Sequence, residues 1–120
     1  MRRVPHVGDT VYSVHESYAG ETAWKRSDEP YHYIVAEGTV IDIIKGGYMQ
    51  AKVKNYLNGE YLCLSFPKFA DFGKSYFWSL EEACDHAEKV SDDYERRWGG
   101  MLKGPLKRPW RETRLHQQRE

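Results

Sequence analysis

The chain of 120 residues is short enough for one domain and long enough to bury a single core without metals or disulfides. Apolar residues make up 40% of it, which excludes disorder of the whole chain, and no apolar run has the length of a signal peptide or a membrane span. Cys63 and Cys84 lack Cys-x-x-Cys spacing and indicate buried free thiols in a reducing compartment, so we expect a cytoplasmic protein.

The formal net charge is zero, but the two signs are separated along the chain. Residues 101–120 hold six basic and two acidic side chains, whereas residues 81–95 hold seven acidic side chains and one lysine. A split of this kind bears on partners and self-association rather than on the fold. It leaves a homo-oligomer open, because the opposed charges could pair between two copies.

A first strand is predicted over residues 10–15, after the turn signal of Gly8 and Asp9. Residues 16–30 then show no usable periodicity. An irregular connection of this length is uncommon in a compact domain and is usually functional or mobile. Tyr18 and Trp24 are unusual in a plain linker, so both are candidate partner-binding residues.

Residues 31–45 are rich in β-branched side chains and predict a long strand, with a bulge or bend at Gly38. Residues 46–47, both glycine, predict a tight turn. Apolar and polar side chains alternate in residues 48–55, as expected for a sheet with one face in water.

Asn58 and Gly59 give the strongest hairpin signal in the chain, and residues 61–66 are predicted to be the returning strand. Residues 75–78 predict one more short extended piece after a loop. The predicted sheet therefore has about five strands.

The clearest pattern in the chain is a helix that begins after Ser79. Ser79 and Glu82 have the spacing of a capping box, which satisfies free amides at a helix start. Apolar side chains then recur at three- and four-residue intervals, which predicts one face packed on a core. They are Leu80, Ala83, Cys84, Ala87, Val90, Tyr94 and Trp98. Gly99 and Gly100 predict a left-handed stop.

The order of strands followed by one helix predicts a mainly β, α+β fold, in which one amphipathic helix caps a small curled sheet or partly open barrel. Residues 1–100 form this predicted domain, and residues 101–120 form a basic C-terminal tail. Pro105 and Pro109 exclude a continuous helix in the first part of that tail.

Residues 8–12 read GDTVY, and residues 71–83 read DFGKSYFWSLEEA. They resemble the GD-x-VY opening strand and the G-K-[ST]-V-F-L-T-x-E-E-A-E element of a family of small proteins encoded by Gram-positive bacteria, their phages and mobile elements. The resemblance covers roughly residues 8–98 as an order of elements. It implies an SH3-like β-barrel with a terminal helix, in proteins mostly of unassigned role.

Some small phage proteins of this general kind are similar to anti-defence inhibitors, including anti-CRISPR proteins. The resemblance supplies no catalytic residues. Residues 16–30 and the tail after Gly100 extend beyond the family pattern, so function specific to this chain is expected in those two additions.

The residues offer little catalytic or metal-binding chemistry. No nucleophile with a nearby base, Gly-rich phosphate loop or zinc set is recognisable. Glu82 and His86 lie one helical turn apart, but two ligands do not make a metal site. We therefore expect a non-enzymatic protein without a metal or cofactor, although a barrel pocket for a small nucleotide is left open.

The candidate partner-binding residues lie in the loop, on the acidic helix and in the tail. They are Tyr18, Trp24, Glu81, Asp85, Glu88, Asp92, Lys107, Arg108, Trp110 and Arg111. The helix carboxylates either mimic a phosphate track that enters a basic groove or form an ordinary solvated face. The basic tail with its tryptophan suits nucleic acid, a protein partner or the chain's own acidic helix.

The main hypothesis is a non-enzymatic binding module, a phage or mobile-element accessory protein that binds and modulates a host protein complex. An anti-CRISPR-type inhibitor that uses the acidic helix face is the sharpest form of this hypothesis. The alternative is a nucleic-acid-binding protein that uses the basic tail, or a barrel that binds a small nucleotide.

Overall fold

A computed structural model of the chain describes residues 3–16, 33–57, 59–99, 106 and 108–111. Within these residues the strands and the helix follow the predicted order. The strands are β1 (Thr10–Glu16), β2 (Tyr33–Ile44), β3 (Tyr48–Asn55), β4 (Tyr61–Ser65) and β5 (Tyr76–Phe77), and the helix, α1, is Leu80–Trp98. The predicted fold class, mainly β with one C-terminal helix, is confirmed.

All five strands join one antiparallel sheet in the order β4-β3-β2-β1-β5, which is not closed into a barrel. The two edge strands lie close to each other at one point. There the Tyr76 hydroxyl on β5 donates a hydrogen bond of 2.6 Å to the Ser65 hydroxyl at the end of β4. A side chain thus links the two edges of a curled sheet. The SH3-like assignment stays a prediction.

The long strand β2 holds the sheet together, because β1 pairs with its residues 33–39 and β3 with its residues 36–44. The register shows no bulge at Gly38, where one was predicted, and shifts between Val40 and Asp42 instead. Gly38 serves close packing, since a Cβ atom there would lie 3.1 Å from Cγ2 of Val11.

The turn between β2 and β3 forms as predicted. Gly46 and Gly47 have φ angles of 103° and 85°, a left-handed conformation that side chains disfavour. In the next hairpin, Gly59 has a φ of 73°, and its backbone N–H donates to the Asn55 carbonyl oxygen at 2.9 Å. Asn58, the other half of that turn signal, lies outside the described residues.

Helix α1 begins where the capping box predicts. The Glu82 backbone N–H donates to Ser79 Oγ at 3.2 Å, and Ser79 Oγ donates to Glu82 Oε1 at 2.9 Å. The predicted left-handed stop is not found at Gly99, which is right-handed with a φ of −53°, and Gly100 lies outside the described residues. Among the described helical residues, none belongs to a helix long and apolar enough to cross a membrane.

The buried side chains of the described residues form three clusters, the smallest of which is Ala36, Ala51 and Val53 on β2 and β3. Helix α1 packs against β1, β2 and β5 and covers that part of one face of the sheet. The cluster beneath it comprises Val35, Phe77, Leu80, Ala83, Cys84, Ala87 and Trp110. The concave face holds the second cluster, which comprises Val11, Val40, Met49 and Tyr76 with Phe69, Phe72 and Trp78 packed against it. Cys63 and Cys84 are both free thiols, as predicted; Cys84 is buried, whereas Cys63, also predicted to be buried, is half-buried.

Substitution of Ser79 by alanine removes the oxygen that accepts from Glu82 and should lower the free energy of unfolding by about 1 kcal/mol. Urea unfolding followed by circular dichroism measures this change. Ser75→Ala is the matched control, because that exposed serine lies in the preceding loop and caps no helix. Equal effects of the two substitutions would show that the cap does not stabilise α1.

Candidate functional site

The acids of α1 line up along one side of the helix. Steps of four and three residues bring side chains to neighbouring positions on a helix surface. The acids at these steps, called here the acidic stripe, are Glu81, Asp85, Glu88, Asp92 and Glu95. The stripe borders the apolar face that packs on the sheet, so a segment that docks on it also reaches the core.

Glu88 is the centre of the acidic stripe, because three side chains of the tail bind its carboxylate. Arg111 donates from Nε to Oε1 at 2.6 Å and from Nη2 to Oε2 at 2.9 Å. The Trp110 indole N–H donates to Oε1 at 3.0 Å, and Arg108 Nη1 donates to Oε2. Two-point contact between a guanidinium and a carboxylate fixes orientation as well as distance.

Arg108 connects Glu88 to the rest of the stripe. Its Nη2 lies 2.8 Å from Asp92 Oδ1 and 3.1 Å from Glu95 Oε1, and only 9% of its side chain is exposed. The backbone N–H of Leu106 also donates to Glu95 Oε1, at 3.0 Å. The planar guanidinium has enough donors for three carboxylates at once, which an ammonium group could not match in geometry.

Trp110 anchors the tail in the core. It is 1% exposed and belongs to the cluster between α1 and the sheet. A buried indole keeps a polar N–H, and here Glu88 satisfies it. Of the three partners predicted for the tail, the structure shows the chain's own acidic helix.

The predicted partner-binding residues therefore fall into three groups. Five of them contact one another inside the molecule: Glu88, Asp92, Arg108, Trp110 and Arg111. Glu81 and Asp85 lie further along the stripe, exposed at the surface and with interactions of their own. Tyr18, Trp24 and Lys107 lie outside the described residues. The role of all ten in binding a partner stays a prediction.

The contacts at Glu88 change its acidity. The hydrogen bonds from Arg111 have the largest effect, burial opposes them, and the bonds from Arg108 and Trp110 add to them, so that the pKa of Glu88 falls from 4.5 to about 2. A folded-state pKa below the unfolded value means that the ionised group stabilises the fold at neutral pH. This contribution is present above about pH 4.5 and is lost as the pH falls toward 2.

A polar cluster on the concave face is a second candidate, which the sequence did not reveal. Ser13 Oγ and His15 Nε2 lie 2.8 Å apart, the spacing of a nucleophile and its base. Burial lowers the pKa of His15 and raises the pKa of Tyr76, whose hydroxyl binds Ser65. Because Ser13 is 1% exposed, a substrate does not reach it, and we interpret the cluster as structural. The described residues include no group of three or more side chains that could hold a metal ion.

The third candidate is the outer surface of β3 and β4, called here the outer β3–β4 face. Its members are Tyr48, Lys52, Lys54, Tyr61, Leu64, Phe66 and Lys68. Tyr61 is 57% exposed, Leu64 44% and Phe66 56%, whereas the inward side chains of the same hairpin are buried or half-buried. Apolar side chains that remain this exposed side by side mark an interaction site more often than chance.

Sequence reasoning found one half of this face and missed the other. The alternation in β3 placed Lys52 and Lys54 on the wet side of the sheet. In β4 the run YLCLSF is apolar at most positions, so it does not tell which side chains point outward. Only the register, which pairs Lys52 with Leu64 and Lys54 with Tyr61, settles that question.

Replacement of Glu88 by glutamine should lower the free energy of unfolding at neutral pH by about 1–3 kcal/mol, because the bonds it makes to charged groups weaken. The difference from the unsubstituted chain should shrink as the pH falls below about 4.5, where the glutamate loses its advantage. Urea titrations at several pH values measure both effects.

Asp93→Asn is the control for this substitution, because Asp93 pairs with Arg96 at an exposed position of the same helix. It should change the free energy of unfolding by less than about 0.5 kcal/mol. A Glu88 effect that did not vary with pH, or that Asp93→Asn reproduced, would contradict the role of Glu88.

Trp110→Ala should lower the free energy of unfolding by about 3–5 kcal/mol, as expected when a large buried ring is truncated. Trp110→Phe should lower the free energy of unfolding by less, because it keeps a buried ring. The remaining cost comes from the lost indole N–H bond to Glu88. Tyr61→Ala removes an exposed ring and should cost under about 1 kcal/mol, which makes it the matched control. If Trp110→Ala were as mild as Tyr61→Ala, the tail would not be part of the core.

No protein-family model, curated protein or solved structure matches this chain. The resemblance to the phage and mobile-element family therefore stays a prediction that rests on residues 8–12 and 71–83. The function has to be inferred from the surfaces of the molecule.

Proposed function

We propose that the chain is a non-enzymatic binding module and that it binds its partner through the outer β3–β4 face. The observation that supports this proposal is the exposure of Tyr61 and Leu64 on the edge strand β4, and of Phe66 directly after it. An edge strand with outward apolar side chains invites association, and stable monomers usually protect such an edge. A partner that covers these side chains provides that protection.

The acidic stripe is a weaker choice of partner surface. The carboxylates of Glu88, Asp92 and Glu95 are already bound by Arg108, and Glu88 also by Arg111. A partner that entered this region would first have to displace Trp110 from the core. Such a displacement costs the burial of a large ring before any new contact forms.

The biological setting of the proposal follows the sequence resemblance. It is a phage or mobile-element accessory protein that binds and modulates a host macromolecule, with an anti-defence, anti-CRISPR-type inhibitor as its sharpest form. A host protein complex was the predicted partner and nucleic acid the alternative. The proposal keeps the binding module and moves its contact from the acidic helix and tail to the outer β3–β4 face.

Affinity purification from a lysate of a Gram-positive bacterium tests this placement, with and without nuclease treatment of the lysate. Leu64→Glu and Phe66→Glu should each abolish the capture seen with the unsubstituted chain, since a charge at the centre of an apolar contact is costly to bury. Both residues are exposed, so circular dichroism should show an intact fold.

The control is Val4→Glu, which adds the same charge at an exposed apolar residue. Val4 adjoins Arg3, whose guanidinium lies 4.0 Å from the ring centre of Trp78, just after β5 at the opposite edge of the sheet. Capture should survive this change. Capture that persisted in Leu64→Glu and Phe66→Glu would place the partner surface elsewhere and overturn the proposal.

A further inference from the structure

The outer β3–β4 face is arranged as two facing columns of side chains. Along β3, Tyr48, Lys52 and Lys54 occupy outward positions between the buried Met49, Ala51 and Val53. Across the pair, Lys68 lies opposite Tyr48, Leu64 opposite Lys52, and Tyr61 opposite Lys54. Phe66 follows Leu64 by two residues and so lies on the same side as Leu64 by alternation.

Three aromatic rings are accessible on this face, those of Tyr48, Tyr61 and Phe66. Each is held on a strand or directly beside one, so its position is fixed by the backbone ladder rather than by a loose loop. Accessible rings on a sheet surface are platforms on which unpaired bases stack, whatever the base identity. Leu64 adds an apolar surface between Tyr61 and Phe66.

Lysines lie beside these rings. Lys52 Nζ is 5.9 Å from the ring centre of Tyr61, and Lys68 Nζ is 5.7 Å from that of Tyr48. Lys54 pairs with Glu37 at 3.3 Å, but no carboxylate in the described part of the chain forms an ion pair with Lys52 or Lys68. A base stacked on either tyrosine would therefore bring its phosphate close to an ammonium group.

The described side chains of the tail, those of Arg108, Trp110 and Arg111, are less suited to nucleic acid than this face is. Arg108 and Arg111 are bound to carboxylates of α1, and Trp110 is 1% exposed. The charges of Arg108 and Arg111 are thus compensated and the Trp110 ring is inaccessible, whereas the outer β3–β4 face presents accessible rings beside lysines.

The geometry points to single-stranded nucleic acid as the partner of the outer β3–β4 face, with Tyr48, Tyr61 and Phe66 stacking on bases and Lys52 and Lys68 contacting phosphates. This inference rests on the proposed function and names its partner. A single strand fits better than a duplex, because bases must be unstacked from one another before protein rings can stack on them. A protein partner would be the other occupant of the face, and the test below separates the two.

The experiment is fluorescence anisotropy with labelled oligo(dT) and oligo(U) of about 20 nucleotides, with a duplex of the same length for comparison. The full chain should bind both single strands more tightly than the duplex. The logarithm of affinity should fall with the logarithm of salt concentration with a slope of about −1.4, as expected for two phosphate contacts, those of Lys52 and Lys68.

Tyr61→Ala and Phe66→Ala should each weaken binding by at least about fivefold, the loss expected when one stacked base is released. Lys52→Glu combined with Lys68→Glu should remove most of the salt dependence. Lys89→Glu, an exposed charge reversal on α1, is the control and should leave affinity within about twofold.

Three results would overturn the inference: no binding of either single strand at low salt, equal affinity for the duplex, or unchanged affinity in Tyr61→Ala and Phe66→Ala. Other results distinguish failure of this inference from failure of the proposed function. If the oligonucleotides do not bind but nuclease-treated lysate still yields a protein that Phe66→Glu releases, the face binds protein and only the nucleic-acid inference is wrong. If neither binds through this face, both are wrong.

Discussion

The contacts of the Glu88 carboxylate with the tail are the interaction on which the organisation of this protein depends. Arg108, Trp110 and Arg111 all bind this one side chain, and together they bring the C-terminal segment onto α1. The burial of Trp110 supplies apolar contact, while the guanidinium groups set where the segment lies. Ion pairs at a partly exposed position contribute less to stability than burial of a large aromatic ring, so we attribute to Glu88 the position of residues 108–111 and to Trp110 most of the free energy.

This arrangement explains the separation of charges in the sequence. The acidic helix and the basic tail compensate each other within one molecule, at least along Glu88, Asp92 and Glu95. The accessible part of the sheet has a different character, because lysines lie beside exposed aromatic rings on and next to β3 and β4. The acidic stripe, which the sequence suggested as a partner surface, is thus bound in part by the chain's own tail. The β3–β4 hairpin presents the side chains that a partner can reach.

Much of the fold could be predicted because it depends on local chemistry. The Ser79 cap, the turn at Gly46 and Gly47, and the alternation in β3 are each decided by residues a few positions apart. The docking of the tail could not be predicted in the same way, since Trp110 and Glu88 are 22 residues apart in sequence and prolines separate them. The outward side of β4 depends on its register with β3, which an almost uniformly apolar strand does not encode. The bulge predicted at Gly38 was wrong for a related reason. A glycine is needed there because Val11 approaches from the neighbouring strand, which local sequence does not show.

The central claim is that the tail stays on α1 while the outer β3–β4 face binds the partner. Two-dimensional ¹H–¹⁵N NMR of the labelled chain during titration with oligo(dT) tests it most directly, because the Trp110 indole N–H and the β3 and β4 amides are observed together. We predict that the amides of Lys52, Leu64 and Phe66 shift while the indole signal of Trp110 keeps its position and its slow exchange with water. A shift or loss of protection at Trp110 with unmoved β3 and β4 amides would contradict the account.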